Sequence, residues 1–202
     1  MTAPDLAGDS LAQASARRAQ RVAVARALQG LALDWPAIDA CPAWLAEPDA
    51  DARERLCARA GGWWLASSLR ACIDGKRLAR ACDLLGGPVL AALRESPEAQ
   101  RAEALNQAPR PLLPPAEDVP AHLLACGRAL LGWSLRPELR APVLGHLGWA
   151  VDARHHAAFD THAAWARQAL LAAQQPEPPV AEAEPEPEFE VEAEEQSTDG
   201  CC

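Results

Sequence analysis

The sequence predicts an all-α fold: a compact multi-helix domain in two helical halves, joined by a Pro-rich linker and followed by a disordered acidic tail. Three observations lead to this prediction. Apolar residues recur at helical spacing along much of the 202-residue chain, capping residues and glycines mark helix ends at short intervals, and no window has a convincing strand pattern. A domain of this length can bury about 70% of its unfolded surface, so its core needs neither metals nor disulfides.

Capping residues set the predicted helix boundaries of the N-terminal half, residues 1–106. Side chains that can accept a hydrogen bond from a first helical turn precede the predicted helices: Asp9 with Ser10, Asp49 and Asp74. Glycines are expected to end the same helices: Gly30, Gly61, and Gly86 with Gly87. A separate helix is predicted from Trp63 to Ile73. Residues 33–48 contain three prolines, so we expect short turns packed against the core. The large apolar residues of these turns are Trp35, Ile38, Trp44 and Leu45.

Proline density separates the two halves. Four prolines fall within residues 107–118, which excludes a helix there and predicts a linker. The C-terminal half, residues 119–175, is expected to end in one helix that Asp152 caps and that stops near Ala173. Residues 176–202 are rich in Pro and Glu, and we predict that this tail is disordered because it has little apolar area to bury.

Charge is distributed unevenly along the chain. Residues 176–199 hold ten of the 28 acidic residues and no basic residue, which leaves 18 acidic residues against 19 basic ones elsewhere. Those basic residues are interleaved with acids and alanines, so the sequence lacks the basic stripe of a nucleic-acid binder. The longest uncharged run, 141–151, is shorter than the roughly 20 residues of a membrane-spanning helix, and no secretory signal is evident. We therefore expect a cytoplasmic protein that binds no nucleic acid and does not span a membrane.

Metal-capable side chains are concentrated at Asp152, His155, His156, Asp160 and His162. On a helix, His155 and His162 would be about 10 Å apart, and His156 with Asp160 would supply only two ligands. No sequence feature gives a cysteine its histidine partner, and neither Gly-Gly pair has phosphate-binding spacing. We therefore predict no metal site, no cofactor and no catalytic residue. An enzyme that uses this histidine-rich helix is the less favoured alternative.

Tryptophan accounts for seven of the nine aromatic residues. Trp63 and Trp64 are neighbours, so on a helix they point about 100° apart and cannot both face one narrow core. Tryptophan is also enriched at the centres of protein interfaces. We predict that Trp44, Trp63 and Trp64 are interface or supporting positions. The alternative for the adjacent pair is burial between helices on two sides.

Three motifs between Cys41 and Leu93 are similar to one protein family. They are Pro42-Ala43-Trp44-Leu45, Leu69-Arg70-Ala71-Cys72-Ile73-Asp74-Gly75, and Leu84-Leu85-Gly86, which Leu78 precedes. In these motifs the chain resembles the SctK/YscK family, the sorting-platform accessory proteins of bacterial type III secretion systems, and in particular its plant-pathogen-type branch. Length, helical character and a second helical half that ends in residues 162–173 are similar too.

The resemblance implies a non-enzymatic cytoplasmic adaptor that is monomeric when isolated and peripheral to the inner membrane when assembled. Such an adaptor would link the inner-membrane ring protein SctD to the SctQ pods, and indirectly to SctL and the SctN ATPase. The alternative is a small helical type III secretion chaperone or another helical protein-binding module, which would engage one unfolded client.

Overall fold

The computed structural model describes residues 6–150 and 152–176, which form eleven α-helices, two 3-10 turns and no β-strand. The helices are α1 (Leu6–Ala27), α2 (Trp35–Asp39), α3 (Ala50–Trp64), α4 (Ala66–Ala71), α5 (Gly75–Leu85), α6 (Gly87–Glu95), α7 (Pro97–Ala104), α8 (Val119–Trp133), α9 (Pro137–His146), α10 (Ala153–Thr161) and α11 (Ala163–Ala173). The 3-10 turns are Ala43–Ala46 and Ala116–Asp118. The all-α prediction is confirmed for the described residues. The predicted disordered tail, apart from Pro176, lies outside them.

Helices α3 and α8 lie at the centre of the fold, and their backbones touch. A Cβ atom added to Gly61 would lie 1.9 Å from the carbonyl oxygen of Leu123, and one added to Gly127 would lie 1.7 Å from that of Cys57. The two contacts pair a later residue of α3 with an earlier residue of α8, so the helices run antiparallel. Any residue other than glycine at these positions would force the helices apart, because the atoms it meets belong to the backbone.

This close approach explains why two predicted helix boundaries are wrong. The sequence predicts a helix end at Gly61, yet α3 continues through Gly61 and Gly62 to Trp64. A glycine inside a helix costs about 1 kcal/mol relative to alanine, and the packing against α8 offsets that cost. The helix predicted from Trp63 to Ile73 is consequently shorter, because only Ala66–Ala71 form α4.

The other helices pack around the central pair. Helix α11 lies against α3, α10 and α5 lie against α8, and α4 lies against α6. Helices from before and after the Pro-rich segment therefore share one core, in which the largest fully buried side chains are Trp165, Phe159, Leu45, Leu65, Leu69, Leu93, Leu123, Leu130, Leu131 and Leu135. The Pro-rich segment runs without α-helix from α7 to α8, and Leu113 anchors it in this core.

Most predicted caps are confirmed by hydrogen bonds. Side-chain oxygens of the predicted caps Asp49 (3.0 Å), Asp74 (2.9 Å) and Asp152 (2.9 Å) accept from backbone N–H groups of the first helical turn. Ser96 caps α7 in the same way (3.1 Å). Gly30 and Gly86 follow α1 and α5 with φ of +103° and +82°, a backbone conformation that favours glycine. These local signals work because the donor and the acceptor lie within three residues of each other.

Two further predictions about helix ends are wrong. Helix α1 begins at Leu6, so Asp9 and Ser10 lie inside it rather than at its start. The last predicted helix is divided into α10 and α11 at His162, whose φ of −114° and ψ of 41° are not helical. By contrast, Pro142 does not interrupt α9, which continues to His146.

We expect Gly127→Ala to lower the free energy of unfolding by at least about 2–3 kcal/mol, because its methyl group cannot fit against the backbone of α3. The measurement is urea unfolding followed by far-UV circular dichroism. Gly145→Ala is the matched control, since Gly145 lies in α9 with no atom within 4 Å of the added Cβ. That control should be stabilised by about 0.5–1 kcal/mol. Equal stability of Gly127→Ala and the parent chain would contradict the close approach.

Candidate functional site

The tryptophans predicted as interface or supporting positions are mostly covered by this chain. Trp44 is 5% exposed, donates its Nε1–H to Ser134 Oγ at 3.2 Å, and stacks on Trp149 with ring centroids 5.6 Å apart. Trp64 is 3% exposed, and Trp63 is half-buried at the edge of the core. Trp44 and Trp64 therefore support the fold from inside it, and contact of Trp63 with a partner stays a prediction.

Phe159 of α10 organises a second aromatic cluster. Its ring is fully buried and meets the edge of Trp64 with centroids 4.6 Å apart, while Trp133 lies 6.2 Å away. Trp133 also donates its Nε1–H to Asp160 Oδ1 at 2.8 Å, and His155 lies over the same phenyl ring. This cluster fastens α10 onto α3 and α8.

The metal-capable residues of the sequence do not converge in the structure. Asp152 caps α10, and Asp160 accepts the hydrogen bond from Trp133. His162 Nδ1 lies 2.9 Å from the carbonyl oxygen of Gln107 and so connects the α10–α11 junction to the Pro-rich segment. Within residues 6–150 and 152–176, no group of three or more His, Cys, Asp or Glu side chains is arranged to hold a metal ion.

His155 instead contacts Cys126 of α8, which sequence reasoning did not connect with it. The Nε2 atoms of His155 and His122 each lie 3.8 Å from Cys126 Sγ. Burial raises the pKa of the Cys126 thiol to about 12, so at neutral pH the sulfur keeps its proton and is neither a nucleophile nor a ready ligand. The four-residue spacing of His122 and Cys126 could have shown that they share a helix face, but their contact with α10 depends on tertiary packing.

Thiols elsewhere in the chain differ in exposure. Cys41, Cys57 and Cys126 are buried, whereas Cys72 and Cys82 are half-buried. Burial also raises the pKa of Cys57 to about 12. The surroundings of Cys57 and Cys126 therefore do not activate these thiols in the way a catalytic cysteine requires.

The first exposed apolar surface lies on α1 and α2. Leu11, Arg18 and Val22 recur on one side of α1, and Trp35 of α2 adjoins the last two; we call these four residues the α1 face. Trp35 is 59% exposed, so the expectation that it packs against the core is wrong. The Arg21 guanidinium lies 5.5 Å from the centre of its indole ring, a cation–π distance.

Helix α1 is held at one end only. Val24 and Leu28 near its C-terminus are buried, whereas every side chain from residue 11 to residue 19 is exposed. The helix packs mainly against α2 and the Ala43–Ala46 turn, and at its C-terminal end His146 Nε2 of α9 lies 3.0 Å from the carbonyl oxygen of Ala27. About half of α1 therefore projects from the core with its side chains accessible.

The second exposed apolar surface lies between the α4–α5 junction and the Pro-rich segment. Ile73 is 99% exposed and Leu112 is 93% exposed, and both line a groove of about 350 Å³; we call this pair and its groove the 73/112 face. Ser68 Oγ donates to the carbonyl oxygen of Pro111 at 2.7 Å, which holds the segment against α4. Ser67 also lines the groove, and its buried Oγ has no hydrogen-bond partner among the described residues.

Comparisons with known proteins give no relative. No protein-family model, curated protein or solved structure matches the chain. None of the helices within residues 6–150 and 152–176 has the length and apolar character needed to cross a membrane. The features of the described residues that bear on function are therefore the two exposed surfaces, the α1 face and the 73/112 face.

We expect stability to depend on pH through His122 and His156. Burial is the main reason that the pKa of each imidazole is lowered below the ordinary value of 6.5. The nearby charge of His155 further lowers the pKa of His122, and that of Arg140 further lowers the pKa of His156. As pH falls through that value the unfolded chain binds more protons than the folded chain, so the free energy of unfolding falls and levels off below both folded-state pKa values.

Urea unfolding at about pH 7.5 and pH 5.5 measures this dependence. The double variant His122→Gln, His156→Gln should lose most of the difference between the two pH values, whereas His146→Gln, at an exposed position, should retain it. An unchanged slope in the double variant would show that other groups control it.

Tryptophan substitutions should separate supporting positions from surface ones. We expect Trp64→Ala to lower the free energy of unfolding by about 3–5 kcal/mol, because it removes a buried ring that contacts Phe159. Trp35→Ala should change it by less than about 0.5–1 kcal/mol, since that ring is largely in solvent. Thermal and urea unfolding of both variants provide the comparison, and a comparable loss in Trp35→Ala would place that ring in the core.

Proposed function

We propose that this chain is a non-enzymatic adaptor of a bacterial type III secretion system, which links the inner-membrane ring protein SctD to the SctQ sorting-platform pods. The observation that carries the proposal is the pair of exposed apolar surfaces, the α1 face and the 73/112 face, on one helical core. They are formed by different elements and share no residue, as an adaptor with two partners requires.

The composition of the α1 face favours protein binding. An exposed tryptophan beside arginines has the residue types that are enriched in binding hot spots. Leu11 and Val22 extend the apolar area along the helix. A partner that covered this face would remove Trp35 from water and desolvate its contact with Arg21, which strengthens that contact.

The 73/112 face offers a different kind of binding site. Two almost fully exposed aliphatic side chains flank a groove that Ser67 also lines, and the buried Oγ of that serine has no hydrogen-bond partner among the described residues. A partner segment with an apolar side chain for the groove and a polar backbone group for Ser67 would satisfy both features. Each interface would bury about 1,600 Å² in total if it were of ordinary size, which leaves room for both on a domain of this length.

The positions of the motifs that carry the family resemblance support a role for both faces. The first motif, residues 42–45, overlaps the Ala43–Ala46 turn, whose Trp44 and Leu45 are buried and on which α1 packs. The second motif, residues 69–75, contains Ile73 of the other face. These two motifs therefore lie under one proposed surface and within the other. The proposed site of action is the cytoplasmic face of the inner membrane.

We expect substitutions in each face to remove one partner and keep the other. Trp35→Ala with Val22→Asp tests the α1 face, and Ile73→Asp with Leu112→Asp tests the 73/112 face. The measurement is a pull-down with the tagged full-length chain from its native bacterium, followed by mass spectrometry of retained proteins. Recovery of SctQ and SctD homologues, each lost in a different double variant, is the expected result.

Leu171→Asp is the matched control, because Leu171 is an exposed leucine on α11 outside both faces. It should retain both partners, and far-UV circular dichroism should be unchanged in all variants. Retention of a single secreted client, lost in either double variant, would favour the chaperone alternative. Recovery of no secretion component would overturn the assignment to this system.

A further inference from the structure

We propose that residues 182–194 of this chain bind the α1 face and cover it in the absence of a partner. The inference is independent of the identity of any partner. It depends on the charge of the face, on the sequence of the segment and on the position from which the segment leaves the core.

The surroundings of the α1 face carry a small excess of positive charge, because three arginines (Arg17, Arg18 and Arg21) stand there against two carboxylates, Asp34 and Asp39. Arg17 and Arg18 are exposed, and neither makes an ion pair with another described residue. Arg21 donates from Nη2 to Asp39 Oδ2 at 2.8 Å, so only that guanidinium has a carboxylate of its own. An occupant of this face therefore needs carboxylates together with apolar side chains for Val22 and Trp35.

The sequence of residues 182–194 meets both requirements. Glutamate occupies every second position from Glu182 to Glu194, and the intervening positions include Phe189 and Val191. If the segment were extended, alternate side chains would point to opposite sides, so one edge would be acidic and the other apolar. Lying sideways along α1, the segment would turn its acidic side to Arg17 and Arg18 on one flank, and Phe189 and Val191 to the exposed indole and Val22 on the other.

The chain leaves the core on the side of the molecule where α1 is anchored. Gln174, just after α11, lines the same groove as Ala43 and Glu47 of the turn region, and the Ala43–Ala46 turn packs against α1. Fifteen residues separate Gln174 from Phe189. An extended chain of that length reaches about 50 Å, more than the roughly 40 Å diameter of a domain of this size.

Tethering makes this occupant more favourable than a separate acidic molecule. A segment whose connection to the core is long enough to reach the face can have an effective concentration of up to about 1 mM there, so even weak contacts would keep it bound for part of the time. A partner that uses the α1 face must displace it. The charged contacts are exposed, so salt should weaken them.

Zero-length carbodiimide coupling of the full-length chain tests the proposal, because it joins an amine only to a carboxylate that it touches. The chain has one lysine, Lys76 on α5, so Arg18→Lys introduces an amine at the α1 face with little background. Mass spectrometry should find position 18 joined to glutamates of 182–194 within the same chain. The yield should be about fivefold or more above that of Arg94→Lys, an exposed position on α6.

The coupling should fall to the level of Arg94→Lys at about 0.5 M salt. Adding Phe189→Ala to Arg18→Lys should also lower the yield severalfold, and an unchanged yield would overturn the placement of Phe189 on this face. Equal coupling at positions 18 and 94 would show that the segment has no preferred site. In a mixture of isotopically labelled and unlabelled chains, coupling only between different chains would show that the segment of a second copy occupies the face. Equal coupling at the two positions, or coupling only between chains, would overturn the proposal.

Discussion

The antiparallel contact of α3 and α8 fixes the geometry on which the other helices depend. At this crossing the carbonyl oxygens of Cys57 and Leu123 lie against the opposing glycines, so backbone atoms rather than side chains set the distance between the helices. Helices α5, α10 and α11 pack on the platform that results. The α1 face also depends on it, because Trp44 ties the turn beneath α1 to Ser134 at the C-terminal end of α8.

Local and long-range determinants explain which parts of the fold could be predicted from the sequence. Asp74 bonds to the amide of Lys76, so its role as a cap is visible within a few residues. Gly61 has the same local appearance as a helix-ending glycine, and only the presence of α8 about 60 residues later makes it an interior one. Trp35 and Trp44 occupy the same Pro-rich stretch, and no local pattern distinguishes the exposed ring from the buried one.

The same distinction applies to function. Composition and spacing were enough to identify the histidine-rich stretch, but its side chains act separately in the structure. His155 contacts Cys126 of α8, and His162 contacts the backbone of Gln107 at the start of the Pro-rich segment. The two exposed surfaces are determined by the tertiary positions of α1 and of the α4–α5 junction, which local sequence patterns do not specify. Ile73 is an unremarkable residue in the sequence, and its near-complete exposure follows from the turn that separates α4 from α5.

The unequal exposure of the tryptophans gives the chain a built-in optical reporter. Trp35 is the one indole of the seven that is exposed, while the other six are buried or half-buried. A soluble quencher should therefore act first on a small, red-shifted part of the emission that comes from α2. Any molecule that settles on that indole, whether part of this chain or not, would shield this component and leave the remaining fluorescence as an internal reference.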